Sequence, residues 1–159
     1  VAAAQVGCKE DPHEEEGRRL MSTATDAAPE PFFRMPLQLR WSDLDAFDHV
    51  NNSRYLTFLE EARIRWFDSI GEQWVTDEFA PVVASVQLNY RMPIPYPADV
   101  VLELYVDRLG GSSVTIGHRI VSADGATLYN DGHVVAVWID RRTGKARPLP
   151  ESVRKACET

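Results

Sequence analysis

From Phe33 the side chains alternate, with Phe33, Met35, Leu37, Leu39 and Trp41 on one face and Arg34, Pro36, Gln38 and Arg40 on the other. That is the period of a half-buried strand, and Pro36, which lacks a backbone donor, suits an edge position. Residues Asp43 to Val50 break the alternation, and Asn51, Asn52 and Ser53 then supply the side chains that cap helices. The pattern predicts a helix from about Ser53 to Ile70, ended by Gly71. On a helical wheel Tyr55, Leu56, Phe58, Leu59, Ala62, Trp66, Phe67 and Ile70 cover about half the circumference, a width suited to a helix wrapped by a curved sheet. Arg63 falls inside this arc and Glu60 at its edge, so the two are expected to pair, while Glu61 points away.

Strands follow one another after the helix. Val82, Ala84, Val86, Leu88 and Tyr90 alternate with Ser85, Gln87 and Asn89, and Val100, Leu102, Leu104 and Val106 alternate with Glu103 and Asp107. Val114 to Val121 and Thr127 to Ile139 flank the hairpin signal Asp124-Gly125, Gly110-Gly111 marks another turn, and Asp131-Gly132 reads as a bulge. A short helix is expected from about Glu151. One strand, a long helix and four hairpin-linked strands exclude a doubly wound nucleotide fold and predict an α+β domain, an antiparallel sheet around one central helix.

At 159 residues, 44% hydrophobic and 26% charged, the chain has room for one packed domain. Residues 1–30 hold almost no large apolar side chain and read as a flexible tail, leaving 31–159 as the domain. No apolar run is long enough to span a bilayer, and Val1 to Gly7 lacks the basic leader and apolar length of a signal peptide. Cys8 and Cys157 offer neither a disulfide framework nor zinc-site spacing, so a cytoplasmic location and no metal are expected. The net charge of −7 provides no basic face for nucleic acid; Arg141, Arg142, Lys145 and Arg147 surround a Thr143-Gly144 turn and read as a solvated loop or as a contact for an anionic cofactor.

Ionisable residues crowd the loop before the helix, where Asp43, Asp45, Asp48 and His49 lie. A calcium loop beginning at Asp43 would need Gly at its sixth position and Glu at its twelfth, but these are Asp48 and Arg54. A phosphatase-type Asp-x-Asp would follow a wholly apolar strand, unlike this one. Ser112 and Ser113 lack a matched His-Asp arrangement. Acids here can simply stabilise the positive end of the helix dipole, the role expected of Asp43 and Asp48 as solvated charges.

The string Asp45-Ala-Phe-Asp-His49-Val-Asn51-Asn52-Ser53-Arg-Tyr55, followed by Leu59-Glu60-Glu-Ala-Arg63, resembles the hotdog-fold acyl-CoA thioesterases. The branch is that of 4-hydroxybenzoyl-CoA thioesterase and, closer still, the bacterial long-chain acyl-CoA thioesterases. The resemblance covers about residues 33–157 and includes Asn89-Tyr90-Arg91-Met92-Pro93. It implies a five- or six-stranded sheet around the helix, dimers or tetramers that join their sheets, an acyl-CoA substrate, and no cofactor beyond the CoA of the substrate. It also implies that Asp45 is the catalytic carboxylate, with Asp48 standing where many relatives carry Gly.

The chemistry of a thioester agrees with this assignment. Its carbonyl is electrophilic and its thiolate leaves readily, so hydrolysis needs an ionised carboxylate, acting on water or as nucleophile, and donors for the oxyanion. Asp45 supplies the first, and free N–H groups near Asn51 to Arg54 the second. His49, Asn51, Asn52 and Ser53 are supporting candidates, Tyr55 and Leu59 candidates for an acyl pocket, and Glu60 the alternative carboxylate. A hydratase would want a His and an acid poised over an acyl Cα, an arrangement His49 does not resemble. A non-catalytic acyl-CoA-binding domain is the alternative from another functional class.

The composition of the first 30 residues generates a direct prediction. Limited proteolysis should remove residues 1 to about 28 while the remainder survives, and their deletion should leave melting temperature and activity nearly unchanged. A drop of many degrees on deletion would show that this segment packs on the domain.

Overall fold

The computed structural model describes residues 30–158; the expected tail lies almost entirely outside them. The elements are β1 (Phe33–Leu37), a 3-10 turn (Trp41–Asp43), α1 (Asn52–Ser69), β2 (Phe79–Tyr90), β3 (Val100–Leu109), β4 (Ser113–Ser122), β5 (Leu128–Asp140) and α2 (Glu151–Cys157). The strands form one antiparallel sheet in the order β1-β3-β4-β5-β2, so β1 and β2 are its edges.

The sheet's inner face packs on α1. Leu102 and Leu104 of β3, Val114, Ile116 and Ile120 of β4, and Val134, Ala136 and Trp138 of β5 meet Tyr55, Phe58, Leu59, Ala62, Trp66 and Phe67 of the helix in one buried core. Phe67 anchors its far end, with ring centroids 4.7 Å from Trp66, 4.9 Å from Trp74 and 5.5 Å from Trp138. The Trp138 indole N–H donates to the Trp74 carbonyl at 3.0 Å, so this aromatic cluster buries no unpaired donor at that ring. On the outer face, Glu103 is covered by neighbours rather than solvated: it accepts from the Tyr105 hydroxyl at 2.6 Å and pairs with Arg34 at 3.2 Å.

Several local expectations are corrected. β1 ends at Leu37, and Trp41, placed by alternation on the buried face, lies in the 3-10 turn with 78% of its surface exposed. In β2 an extra residue at Ala84 shifts the register between Val83 and Ser85. Val83, opposite Ala136, therefore shares the inner face with Val86, Leu88 and Tyr90, and Val82 turns outward. No bulge falls at Asp131-Gly132, where the register with β2 runs on; the irregularity in β5 lies at Tyr129, skipped between Ile120–Asn130 and Val121–Leu128. Gly132 is required for another reason: at φ 152° a Cβ there would run into the Gln87 carbonyl. The expected Glu60–Arg63 pair is not formed as a contact, since no ion pair within 4.0 Å joins them and Glu60 is exposed; Glu61, pointing away, pairs with Arg65 at 2.5 Å.

Two buried polar side chains, His118 and Asn130, lie on the inner face. His118 is buried beneath α1, with its Nε2 3.1 Å from Asn130 Oδ1. The Asn130 amide N–H donates to the Asn89 carbonyl at 2.9 Å, which fixes the amide's orientation and makes His118 Nε2 the donor. Nδ1 is then a bare acceptor with no partner. Burial first, and then the nearby Arg63 and His133 charges, bring the His118 pKa down to about 4 despite the Asn130 bond.

That shift sets a pH dependence. Unfolding restores an ordinary value near 6.5, so between about 6.5 and 4 the unfolded chain binds the extra proton and stability falls as pH falls, by about 3 kcal/mol in all. Denaturant titrations at pH 7 and pH 4.5 should show this loss in the wild type and a smaller one in His118→Gln. Equal pH slopes in the two proteins would refute it.

Candidate active site

The loop between β1 and α1 is built around Asp43. Read from sequence as a solvated charge, Asp43 is instead 7% exposed. Its Oδ2 accepts the Arg40 N–H at 2.9 Å, its Oδ1 lies 3.4 Å from Arg54 Nε, and its carbonyl accepts the Asn51 N–H at 2.8 Å. Arg54 also donates to the Ser42 carbonyl at 3.2 Å. The carboxylate thus ties the end of the first strand segment to the first turn of the helix.

Beyond Asp43 the chain makes a tight excursion and returns. Leu44 bridges Val50, His49 bridges Pro95, and the Val50 N–H donates to the Ile94 carbonyl at 3.0 Å. The Asp45 N–H donates to the His49 carbonyl at 2.8 Å, and the Asp48 N–H to the Asp45 carbonyl at 3.2 Å. Asp48 turns the corner at φ 60°, a left-handed conformation that Asp tolerates better than most side chains and Gly better still. This gives a physical account of Asp48 standing where many members of the family it resembles have Gly.

The turn uses only one oxygen of Asp45. Oδ1 accepts N–H bonds from Phe47 at 2.8 Å and from His49 at 3.4 Å; among the described residues Oδ2 accepts none. At the adjoining helix start, Asn51 is the N-cap, its Oδ1 accepting from Ser53 N at 2.9 Å and Ser53 Oγ at 2.8 Å. Asn51 N–H goes to Asp43 and Arg54 N–H to the Asn51 carbonyl at 2.9 Å. The N–H of Asn52, the first helical residue, has no acceptor among the described residues.

Asp45 and Asn52 line one cleft of about 220 Å³. Asp45 and His49 line it from the loop, Asn52 and Tyr55 from α1, and Tyr90 and Met92 from the end of β2. Tyr90 donates its hydroxyl to the Asn52 carbonyl at 3.1 Å and meets the Tyr55 ring edge-on at 5.0 Å. Burial, with Tyr90 and Asp45 nearby, pushes the Tyr55 pKa up to about 12, so its hydroxyl stays protonated at neutral pH. Arg91, also at the cleft, is engaged by Asp131 in two bonds of 2.9 and 3.1 Å.

The structure therefore brings Asp45, His49, Asn52 and Tyr55 together and leaves Asn51 and Ser53 as capping residues beside them. Leu59 is buried in the core, and Glu60 lies exposed outside the cleft lining. Tyr90 had no assigned role in the sequence, where it stands only as a strand residue and within the Asn89–Pro93 stretch of the family resemblance; it sits 38 positions from Asn52. A larger groove of about 480 Å³ lies between β1 and α1, but the carboxylates in it, Asp43 and Glu61, are already paired with Arg54 and Arg65. No group of three or more His, Cys, Asp or Glu side chains is placed to hold a metal among the described residues. No helix among them is long and apolar enough to cross a membrane.

Comparison with known proteins fits this arrangement. The long-chain acyl-CoA thioesterase FadM of Escherichia coli is 32% identical over 124 residues, covering 77% of this chain and 94% of that protein. A solved structure from Xanthomonas campestris, described as a candidate acyl-CoA thioesterase, is 50% identical with a TM-score of 0.66, covering 73% of this chain and 99% of its own. A Thermus thermophilus thioesterase, solved in complex with coenzyme A and Zn, is 32% identical with a TM-score of 0.70, covering 82% and 94%. Residues 39–157 match the thioesterase-like superfamily as a whole, and with the five-stranded sheet around α1 the chain belongs to that superfamily and has its hotdog fold.

Proposed function

We propose that this chain hydrolyses acyl-CoA thioesters to free acid and CoA, with Asp45 as the reacting carboxylate and the Asn52 N–H as oxyanion donor. One observation carries the reading: Asp45 and Asn52 line the same cleft, and among the described residues neither Asp45 Oδ2 nor the Asn52 N–H has a hydrogen-bond partner. A thioester carbonyl set between them would receive the N–H on oxygen while Asp45 Oδ2 acts at carbon. As general base, Asp45 takes a proton from water, the hydroxide adds to the carbonyl, and collapse of the oxyanion expels CoA thiolate, which regains the proton. As nucleophile, the same oxygen adds to the carbonyl and expels CoA thiolate, and water opens the resulting acyl anhydride to the free acid and the Asp45 carboxylate, its second proton going to the thiolate. Both routes need Oδ2 unencumbered. The thioesterase relatives support an acyl-CoA substrate.

The His49 N–H donates to Asp45 Oδ1 and His49 bridges Pro95, so its role is to shape the loop. Tyr55 forms part of the acyl-side wall.

The assembly is a dimer joined through β2. This edge strand has no charged residue along Phe79–Tyr90, and its Val82, Val83 and Val86 are each 40 to 50% exposed. An uncharged apolar edge pairs readily with a second copy of itself. Light scattering at assay concentration should report a dimer or a dimer of dimers, and an active monomer would contradict it.

Three carboxylate variants separate the roles. Asp45→Asn should lower kcat by at least ~10² while the protein stays folded. Asp43→Asn should cost about 1 to 3 kcal/mol of stability, because Arg54 and the Arg40 N–H lose a buried charged acceptor. Glu60→Gln, at an exposed site with no close partner, should change neither by much. Near-normal thiol release by Asp45→Asn would reject the assignment, and selective loss of turnover in folded Glu60→Gln would move the chemistry onto the helix. CoA binding without hydrolysis across a panel of acyl-CoAs would favour a binding domain instead.

A further inference from the structure

The last residue of β2, Tyr90, is held from both sides. Before it, Asn89 donates its amide to Asp131 Oδ1 at 2.8 Å while its carbonyl accepts the Asn130 amide N–H at 2.9 Å. After it, Arg91 reaches the same Asp131 carboxylate in bonds of 2.9 and 3.1 Å, and the Arg91 and Met92 N–H groups share the Tyr129 carbonyl at 2.9 and 3.2 Å. Asn130, fully buried, is itself held by His118. Strand ends ordinarily fray, so these contacts fix the base from which the Tyr90 side chain projects.

From that base the Tyr90 ring meets Tyr55 edge-on, and its hydroxyl donates to the Asn52 carbonyl at 3.1 Å. The peptide joining Asn52 to Ser53 is thereby gripped at both ends, because its N–H goes to Asn51 Oδ1 at 2.9 Å. The preceding peptide carries the Asn52 N–H, which has no acceptor among the described residues. Two dihedrals at Asn52 relate these peptides. Holding one of them at both ends limits how far the N–H of the other can swing. The remaining ties on this turn come from the loop and the helix itself, whereas Tyr90 brings one from the sheet.

Tyr90 is nearly half exposed, so water can satisfy its hydroxyl equally well and the bond contributes little to global stability. Its consequence is local. We propose that Tyr90 is a positioning residue for hydrolysis, its hydroxyl holding the first turn of α1 so that the Asn52 N–H stays aimed at the thioester oxygen. The assignment rests on the reading of that N–H as oxyanion donor. Such a donor is effective when its direction is fixed before charge develops, so the tether raises kcat and leaves ground-state binding unchanged.

Tyr90→Phe tests it, because the ring stays against Tyr55 and only the hydroxyl is lost. Steady-state hydrolysis of an acyl-CoA by the full chain should show kcat lowered at least about fivefold, with KM within about twofold of wild type. A smaller loss of kcat, or a change confined to KM, would overturn the proposal. A double-mutant cycle with Asn52→Pro, which lacks the N–H to be aimed, separates action through Asn52 from action on the substrate. In that background Tyr90→Phe should cost less than about twofold; a loss as large as in the wild-type background would make Tyr90 an independent contact and overturn the assignment. Backbone amide relaxation measured by NMR reads the same link without turnover. The Asn52 order parameter should fall from about 0.85, typical of rigid backbone, toward about 0.6 in Tyr90→Phe, while that of Leu59 in mid-helix is unchanged. Unchanged order at Asn52 would overturn the proposal, whereas a wild type that releases no thiol, with the loss of order observed in the variant, would fail only the thioesterase reading.

Discussion

The buried carboxylate of Asp43 is the interaction on which the active loop depends. It is a charge withdrawn from water, tolerable because Arg54 and the Arg40 N–H compensate it on two sides. Its backbone carbonyl meanwhile takes the Asn51 N–H. With Asn51 so occupied, and with the Asn51 side chain and carbonyl engaging Ser53 and Arg54, the N–H left without an acceptor among the described residues is that of Asn52. A single free N–H at the positive end of an 18-residue helix is a fixed donor that needs no reorganisation when negative charge develops beside it. Asp45, two residues beyond Asp43, is held by the same loop with one oxygen used and one left over.

The other half of the design is what the sheet leaves uncovered. Helix α1 buries the inner faces of β3, β4 and most of β5, but the inner face of β2 stays partly open at Val83 and Val86. An apolar flank next to an uncharged edge strand is unfavourable for a lone chain in water, and this is the physical ground for the proposed dimer. The candidate cleft lies at one end of that edge and the basic turn at the other.

Much of this was legible in the sequence because it is local. The helix and its Asn51 cap follow from residue type and a 3.6-residue period, and the Asp124-Gly125 hairpin from its turn chemistry. The motif around Asp45 carried the family and pointed to the carboxylate now proposed to react. What stayed hidden depends on contacts between distant residues. Asp43 looks like any loop acid until Arg54 folds back onto it, and Tyr90 acquires a role only when the sheet carries it to Asn52. The bulge at Ala84 is a third case: one extra residue in a run of small and β-branched side chains exchanges the faces of Val82 and Val83, and nothing in the composition marks where it falls. Arg63 shows the limit of the helical wheel, which gave it an apolar setting correctly but could not supply the contact distance to Glu60.

The central claim is that the Asn52 N–H stabilises the oxyanion, and one substitution removes that proton and little else. Asn52 is the first residue of α1, where proline is well tolerated, and Asn51 before it has the extended φ −61°, ψ 136° that a following proline requires. Measurement of kcat for Asn52→Pro, alongside its helix content and melting temperature, tests the claim directly. A folded variant whose kcat falls by ~10² to 10³ is the predicted result, the usual cost of losing one oxyanion donor. A folded Asn52→Pro variant that turns over acyl-CoA at the wild-type rate would contradict the account.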